Sequence, residues 1–420
     1  MARSLAPFGE PNFRLLWTGQ AVSAIGDSLT PVAFAFATLS VTHSAAALGV
    51  VLAVSTVARV LALPMGGVWA DRLPRQLVML SSDWVRALVH GVIGFALIAG
   101  HATLWMLIAQ AAMFSFAGGF FDPASGALVP QTVSAERLQQ ANALMGLSRS
   151  ITQVAGPAVS GIIVALFGAG WVFVIDAATF VVSAVTLTLM RVPAIRGTAE
   201  HASFWTELAD GWRAVVSRRW YLLNLLGHAT WNFAIASVFV LGPIVTIKHL
   251  GGASSWGLVG AAMGAGAIAG GLVALRVTPS RPLIAANLVL VFGTVQLLAF
   301  AVPLPLPLVM VASALGWAGL TFLNELWFAT VPQLLPKDVL ARANSFDWLL
   351  SIIAMPAGFA VSGPLADRIG VTPTLVAAAA LTAAAAVFVL LVPGVRRVRR
   401  TPEGRIVLDA ATTTAPTPAG

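Results

Sequence analysis

Nine ionisable residues fall inside long apolar stretches of this chain: Asp27, Arg59, Asp83, Arg86, Asp122, Arg149, Asp176, Glu325 and Asp347. An ionised side chain at the centre of a membrane helix costs about 2.5–3.5 kcal/mol, so each needs a partner, water or a task. Asp83 and Arg86 stand three residues apart on one helical face and can neutralise each other as a structural pair. No other candidate has an opposite charge within four positions, which sets Asp27, Asp122, Asp176, Glu325 and Asp347 against Arg59 and Arg149. The surplus carboxyls must be wet, held by distant polar groups, or protonated part of the time, and the last is what coupling to protons requires. Arg59 can hold an anionic substrate group or pair with Asp27 across helices; Arg149 can pair or gate. Asp122 and Glu325 fall toward the inner ends of their helices, where water or a gate accounts for them, and Asp176 reads as structural.

A second constellation is Asn224, His228, Trp231, Asn232 and Phe233. His228 and Asn232 are four residues apart, so both can face one cavity with aromatic surface alongside, a lining suited to an amphiphile. A packing histidine is the plainer reading of His228. The other histidines form no metal-ligand spacing, and the chain has neither cysteine nor a phosphate-cradling loop. No cofactor, metal or nucleic-acid partner is expected, and no enzyme activity.

These residues must be carried by helices in a bilayer. The 420-residue chain is 58% hydrophobic and only 10% charged, against roughly 25% charged in an ordinary soluble domain. A bilayer core about 30 Å thick needs about 20 apolar residues of helix. Twelve such stretches are centred near Ala24, Ser55, Val89, Ala112, Val154, Thr179, Phe233, Gly264, Val291, Ala318, Ala354 and Ala384. With both termini in the cytoplasm, the outer loops keep only Lys248 and Arg368, and the other loop and terminal arginines and lysines face inward. The polar interruption divides the chain into a six-helix bundle over residues 1–190, a linker over 191–218, a second bundle over 219–394 and a disordered cytoplasmic tail over 395–420. In the linker, Phe204, Trp205, Leu208, Trp212 and Val215 recur at the spacing of a helix lying on the membrane surface.

An internal repeat supports the two halves. Val129-Pro130-Gln131 returns as Val331-Pro332-Gln333, Ala141-Asn142 as Ala343-Asn344, and Ala158-Val159-Ser160-Gly161 as Ala360-Val361-Ser362-Gly363, each pair separated by the same 202 residues. Parallel repeats related by an axis along the membrane normal are a transporter architecture, with the substrate between the halves.

The loop after the second stretch, Gly67-Val-Trp-Ala-Asp71-Arg72-Leu-Pro-Arg75, resembles the signature loop of the major facilitator superfamily, which latches the halves together. The reading gives Gly67 a close helix contact and leaves Arg72 and Arg75 in cytoplasmic water. Pro74 stands where the signature has Gly. Gly156-Pro157-Ala-Val-Ser160-Gly161 is similar to the Gly-Pro motif that the superfamily's antiporters place in their fifth helix, a pivot or seal between halves. The fourth stretch lacks the Arg usual in proton-coupled drug exporters. With Asn12-Phe13-Arg14, Gly26-Asp27-Ser28, Asp83-x-x-Arg86-Ala87, Pro123-Ala124 and Asp176-Ala177, the chain resembles the enterobactin-exporter and macrolide-efflux branch over about Asn12 to Pro393.

The resemblance implies an all-α membrane protein of twelve helices in two six-helix bundles, a monomer in the bacterial inner membrane, exporting a hydrophobic or amphiphilic small molecule by proton antiport. It also implies a cavity lined by helices 1, 4, 7 and 10. Asp27 then becomes the first candidate for substrate or proton binding, with Arg59, Asp122, Arg149, Glu325 and Asp347 behind it. The competing expectation is nutrient import by symport or facilitated diffusion, which calls for a cavity rich in hydrogen-bonding groups.

Overall fold

The computed structural model describes residues 5–193, 212–213, 215–302 and 304–409. Its first part contains α1 (Pro11–Thr42), α2 (Ala45–Arg72), α3 (Arg75–Ile98), α4 (Leu104–Leu128), α5 (Leu138–Phe167) and α6 (Ala169–Leu189). The second contains α7 (Arg219–Val245), α8 (Ala253–Arg276), α9 (Pro282–Leu288), α10 (Val291–Ala301), α11 (Leu306–Leu334), α12 (Lys337–Ile369) and α13 (Val371–Leu391). A short α14 (Pro393–Arg397) and a hairpin of β1 (Val398–Arg400) and β2 (Ile406–Leu408) follow. Among the described residues, eleven segments are long and apolar enough to cross a membrane, α9 and α10 together forming one of them. Helix α12, at 33 residues, is not among those eleven. Charged residues sit at both of its ends and inside it, including Lys337, Asp338, Arg342 and Asp347.

Local chemistry sets the breaks. Ser44 and Thr103 cap α2 and α4, their hydroxyls accepting from the backbone N–H groups of Ala47 and Met106 at 3.2 and 3.4 Å. The turn between α5 and α6 is made by Gly168 at φ 88°, ψ 161°; that between α12 and α13 by Gly370 at φ 94°, ψ 159°. Only glycine takes this conformation without strain, and the two positions are again 202 residues apart. The repeated glutamines behave alike as well: Gln131 and Gln333 each donate to the carbonyl four residues back, of Ala127 and Ala329.

In the first half α2 packs on α4, α6 on α1 and α3, and α5 on α1; in the second, α8 packs on α11, α12 and α13 on α7, and α10 on α13. The halves meet along α2–α12 and α5–α8.

The expected disordered tail is corrected as far as residue 409. Val398 is fully buried and Ile406 is 6% exposed, both within the apolar cluster of Trp220, Tyr221 and Trp327. The Ile406 N–H donates to Gln333 Oε1 at 3.2 Å and that of Arg400 to the Ser280 carbonyl at 2.8 Å. Two apolar residues facing one way in a hairpin gain enough from burial to dock it; in the sequence they are lost among arginines and threonines. The expected surface helix of the linker falls mostly on residues 194–211 and 214, outside the described residues; Val215 is buried in the same cluster.

Candidate functional site

The two halves touch closely at one end and part at the other. At the end carrying the α1–α2 turn, glycines bring backbones together: Gly49 lies against the Phe359 carbonyl, Gly363 against Ala45 and Ala46, and Gly161 against Ala253 and Gly257. The α5–α8 contact continues through Pro157 on Gly260 and Gln153 on Gly264. Apolar clusters tell the same story. Val32, Ala45, Leu48 and Leu52 of the first half share clusters with residues of the second, such as Val238 and Ile244. At the opposite end Phe13, Met79, Leu128 and Met145 form a cluster of the first half alone, and Tyr221, Leu283, Trp327 and Val389 one of the second alone. Among the described residues no apolar cluster joins the halves at that end, and the functional candidates are the polar side chains of the two halves.

Asp27 is one of them. Its side chain is 41% exposed, receives the Ser23 hydroxyl at 3.4 Å, and has Arg86 at 3.9 Å. Arg86 is itself buried, paired with Asp83 as the spacing suggests, and its guanidinium lies 4.1 Å from the centre of the Phe121 ring and 4.3 Å from that of Phe180. The intramembrane arginine missing from α4 is thus supplied to an α4 ring from α3. Arg59 pairs with Asp122, both about half exposed, and not with Asp27. Arg149 and Glu325 are exposed, on α5 and α11.

Asp347 is buried. Its Oδ2 accepts from the Trp327 indole N–H and, at 3.2 Å, from the Tyr221 hydroxyl, while Ser351 donates to Oδ1 at 3.4 Å. Tyr221 and Trp327 stack with centroids 5.7 Å apart. Neutral donors hold this carboxylate.

The cavity lining expected from α7 is corrected. Asn224, His228 and Trp231 are buried within the second half. His228 Nε2 lies 3.3 Å from Asn287 Oδ1, and the Trp231 indole N–H donates to the Leu290 carbonyl. Asn232 is half-buried and spends its amide on the His228 carbonyl at 3.0 Å. Four-residue spacing does put these groups on one face, but that face meets α9 and α10.

The signature loop also differs from expectation. Gly67 has open space around it, and Gly66 is the glycine that lets α2 approach Gly119 and Phe120 of α4. Arg72 is exposed, whereas Arg75 is half-buried and donates to the Ala127 carbonyl at 2.8 Å, satisfying the C-terminal end of α4. Gln76 does the same for α6, donating to the Leu187 and Met190 carbonyls. The Asp71 side chain lies outside the described residues. Gly156 faces Ser28 of α1, and Gly161 and Pro157 face α8, so the fifth-helix motif sits on the joint between halves.

His90, Thr30 and Thr179, overlooked in the sequence, surround Asp176 in the first half's polar interior. Asp176 Oδ2 accepts from Thr30 at 2.9 Å and lies 2.7 Å from His90 Nδ1, and Thr179 donates to Oδ1 at 3.1 Å. One signal was available: Asp83, Arg86 and His90 fall at i, i+3 and i+7 on one helical face.

Such a molecule, nearly all helical among the described residues, with eleven segments fit to cross a membrane and a repeated sequence, is a multi-pass membrane transporter of the major facilitator type. The chain belongs to the transmembrane secretion effector family, whose model matches residues 2–403. It is 28% identical over 412 residues to the enterobactin exporter EntS of Salmonella typhi, covering 93% of this chain and 95% of that one. To macrolide efflux protein A of Streptococcus pyogenes it is 23% identical over 372 residues, covering 86% and 90%. Among solved structures, a bacterial homolog of the human lysosomal transporter Spinster, inward-facing and unoccupied, superposes with a TM-score of 0.68 at 15% identity, covering 90% of this chain and 96% of that one. A POT family transporter in complex with 5-aminolevulinic acid gives 0.72 at 13% identity, covering 90% and 95%.

Proposed function

We propose that this protein exports a hydrophobic or amphiphilic small molecule, such as an antibiotic or a siderophore, from the bacterial cytoplasm by alternating access and proton antiport. The observation that carries the reading is the arrangement of apolar clusters, joined across the halves at one end and separate at the other, with Asp27 half-exposed and backed by Arg86. In this reading α12 is the eleventh of twelve spans, the bundles are residues 1–190 and 219–394, and both termini are cytoplasmic. The parted end, which carries Arg72, Arg75 and Arg219, then faces the cytoplasm, as the bias of basic residues requires.

Substrate enters from the cytoplasmic side and meets Asp27, with Arg59–Asp122, Arg149 and Glu325 as polar groups toward the inner end. Closing that end draws the separate clusters together and opens the glycine joint, with α5 turning on α8 at Pro157 and Gly161 while Gly156 keeps it against α1. A proton taken up by Asp27 from outside replaces the departing substrate; the carboxyl cannot stay charged beside a second anion at low cost. Asp71, Arg72 and Arg75 latch the inner end in the outward-open state. Export rather than import is favoured by the efflux relatives named above.

The test is accumulation of ethidium and of a macrolide in a drug-sensitive host, with and without a protonophore. Expression should lower accumulation, the protonophore should restore it, and Asp27→Asn should slow efflux while leaving the protein in the membrane. Unchanged accumulation at verified expression counts against export, and protonophore-insensitive efflux against antiport.

A further inference from the structure

The second half carries a concavity that the export reading leaves without a task. It opens where α7 begins, beside α14 and the hairpin, with a volume of about 940 Å³. Among the described residues its walls carry three guanidinium groups, those of Arg218, Arg219 and Arg397, and one carboxylate, that of Asp409. The carboxylate is already engaged by Arg399, which lies outside the wall and donates Nε to its two oxygens at 2.6 and 2.7 Å. The first turn of α7 contains no acidic residue. The mouth of the concavity is therefore basic. It is also firmly built: Gly394 brings α14 against Trp220 of α7, and the Asp409 N–H donates to the Arg397 carbonyl at 3.2 Å, tying the hairpin to α14.

Beyond this mouth runs an apolar trough of about 640 Å³ between α7, α12 and α13, and Phe388 lines both spaces. On α7 the lining residues Arg219, Leu223, Leu226, Thr230 and Phe233 recur at steps of four and three, one stripe of one helical face. On α13 Leu391, Phe388, Ala384 and Leu381 answer in the same rhythm. The Thr230 hydroxyl is spent on the Leu226 carbonyl at 2.8 Å, so the trough offers a guest hydrocarbon surface. Gly227 lets α7 close on Val389 behind it, and Ala354 and Ala385 keep its floor low. From Arg219 to Phe233 the stripe covers about 21 Å at 1.5 Å per residue, against about 15 Å for one leaflet of a 30 Å hydrocarbon core. It thus starts at headgroup level and ends near the midplane.

We propose that this groove holds one anionic phospholipid of the surrounding bilayer, its phosphate among Arg218, Arg219 and Arg397 and an acyl chain along α7 and α13. Basic pockets between membrane helices at the membrane surface suit such headgroups. A soluble anion would use the mouth alone, and a neutral lipid the trough alone; an anionic amphiphile matches both. Once seated, it joins the start of α7 to the segment after α13, two stretches far apart in the chain, and so completes the parted end of the second half. Which leaflet supplies it follows from the topology proposed above, while the site does not depend on that topology.

Native mass spectrometry of the full chain, released from nanodiscs made of equal parts dioleoylphosphatidylglycerol and dioleoylphosphatidylcholine, tests this. The expected result is one phosphatidylglycerol retained in preference to phosphatidylcholine. In the double variant Arg219→Gln, Arg397→Gln its affinity should fall about thirtyfold, what two basic residues near an anionic surface are worth together. If that variant does not fold, Ala384→Trp, at an exposed position of the trough, fills the acyl channel with the charges intact and should release the lipid. Excess inorganic phosphate should not displace it. Equal retention of the two lipids, retention unchanged in the double variant or in Ala384→Trp, or displacement by phosphate overturns the proposal. The measurement contains no transported compound, so its outcome is separate from that of the efflux assay.

Discussion

Among the described residues, the first half solves the problem of buried charge with ions, and the second with neutral donors. Asp27, Asp83 and Asp176 share Arg86 and His90, whereas Asp347 is held by a phenol, an indole and a serine hydroxyl. At the repeat offset of 202 residues, Asp176 corresponds to Ala378 and Asp347 to Met145. The link between α10 and α13, counterparts of α3 and α6, is a pair of hydroxyls, Thr294 and Thr382, 2.8 Å apart. A duplicated scaffold has thus kept its backbone joints, such as Gly168 and Gly370, while its polar interior diverged. Ion pairs are buried in the first half, and the second holds the Asp347 carboxylate by hydrogen bonds.

The sharpest way to break this contrast is Arg86→Leu. Removing one partner of a buried ion pair leaves the other uncompensated, at a cost of about 3–5 kcal/mol. Thermal unfolding of the purified protein should show a large loss, and Asp83→Asn in the same chain should recover part of it. A variant as stable as the parent would mean that Asp83 is already neutral without Arg86. Second in size is the joint that both halves share. Gly363 lies against the backbone of Ala45 and Ala46, so Gly363→Val overpacks the closed end by about 1–3 kcal/mol. That shifts the balance about five- to 150-fold toward the state in which this end is open. Since the chain has no cysteine, spin labels on introduced cysteines across α2–α12 report the distance directly.

Asp347→Asn tests the neutral side. The amide oxygen still accepts from Trp327 and Tyr221, so the loss is the difference between charge-assisted and neutral hydrogen bonds, about 1 kcal/mol. Melting temperature should move far less than for Arg86→Leu. A collapse of the fold on this substitution would show that the second half, too, depends on an ion, and would erase the contrast.

Helix positions, the repeat and the family were legible because they are written in hydropathy, in where arginine is tolerated, and in motifs that must be contiguous. Asp83–Arg86 was legible for the same reason, as neighbours on one helical turn. Partnerships across helices were not. Arg59 finds Asp122 and Asp347 finds Trp327 and Tyr221 over separations that no periodicity encodes. Asn224, His228 and Trp231 show the opposite failure: their shared face is correct, but a face alone does not say whether crevice or neighbouring helix lies opposite. Arg75 was assigned to water by its charge, yet open carbonyls at the end of α4 offer it a better place.

The smallest effect concerns how each half closes its parted end. The first half uses the segment before α1, where Phe8 meets Phe13 and Trp17 edge-on and Glu10 pairs with Arg137 at 2.9 Å. The second uses the hairpin after α14, with Val398 and Ile406 inside and its backbone bonded to Gln333 and Ser280. If that hairpin is an integral part of the second half, Ile406→Val should cost about 0.5–1.5 kcal/mol, as for a methylene lost from a packed core. Hydrogen exchange at the Ile406 amide should rise by the same factor as exchange in α11, because one cluster holds both. Exchange that rises in the hairpin alone would make it an appendage resting on the bundle, and the two halves would then differ in kind at this end as well as in their charge.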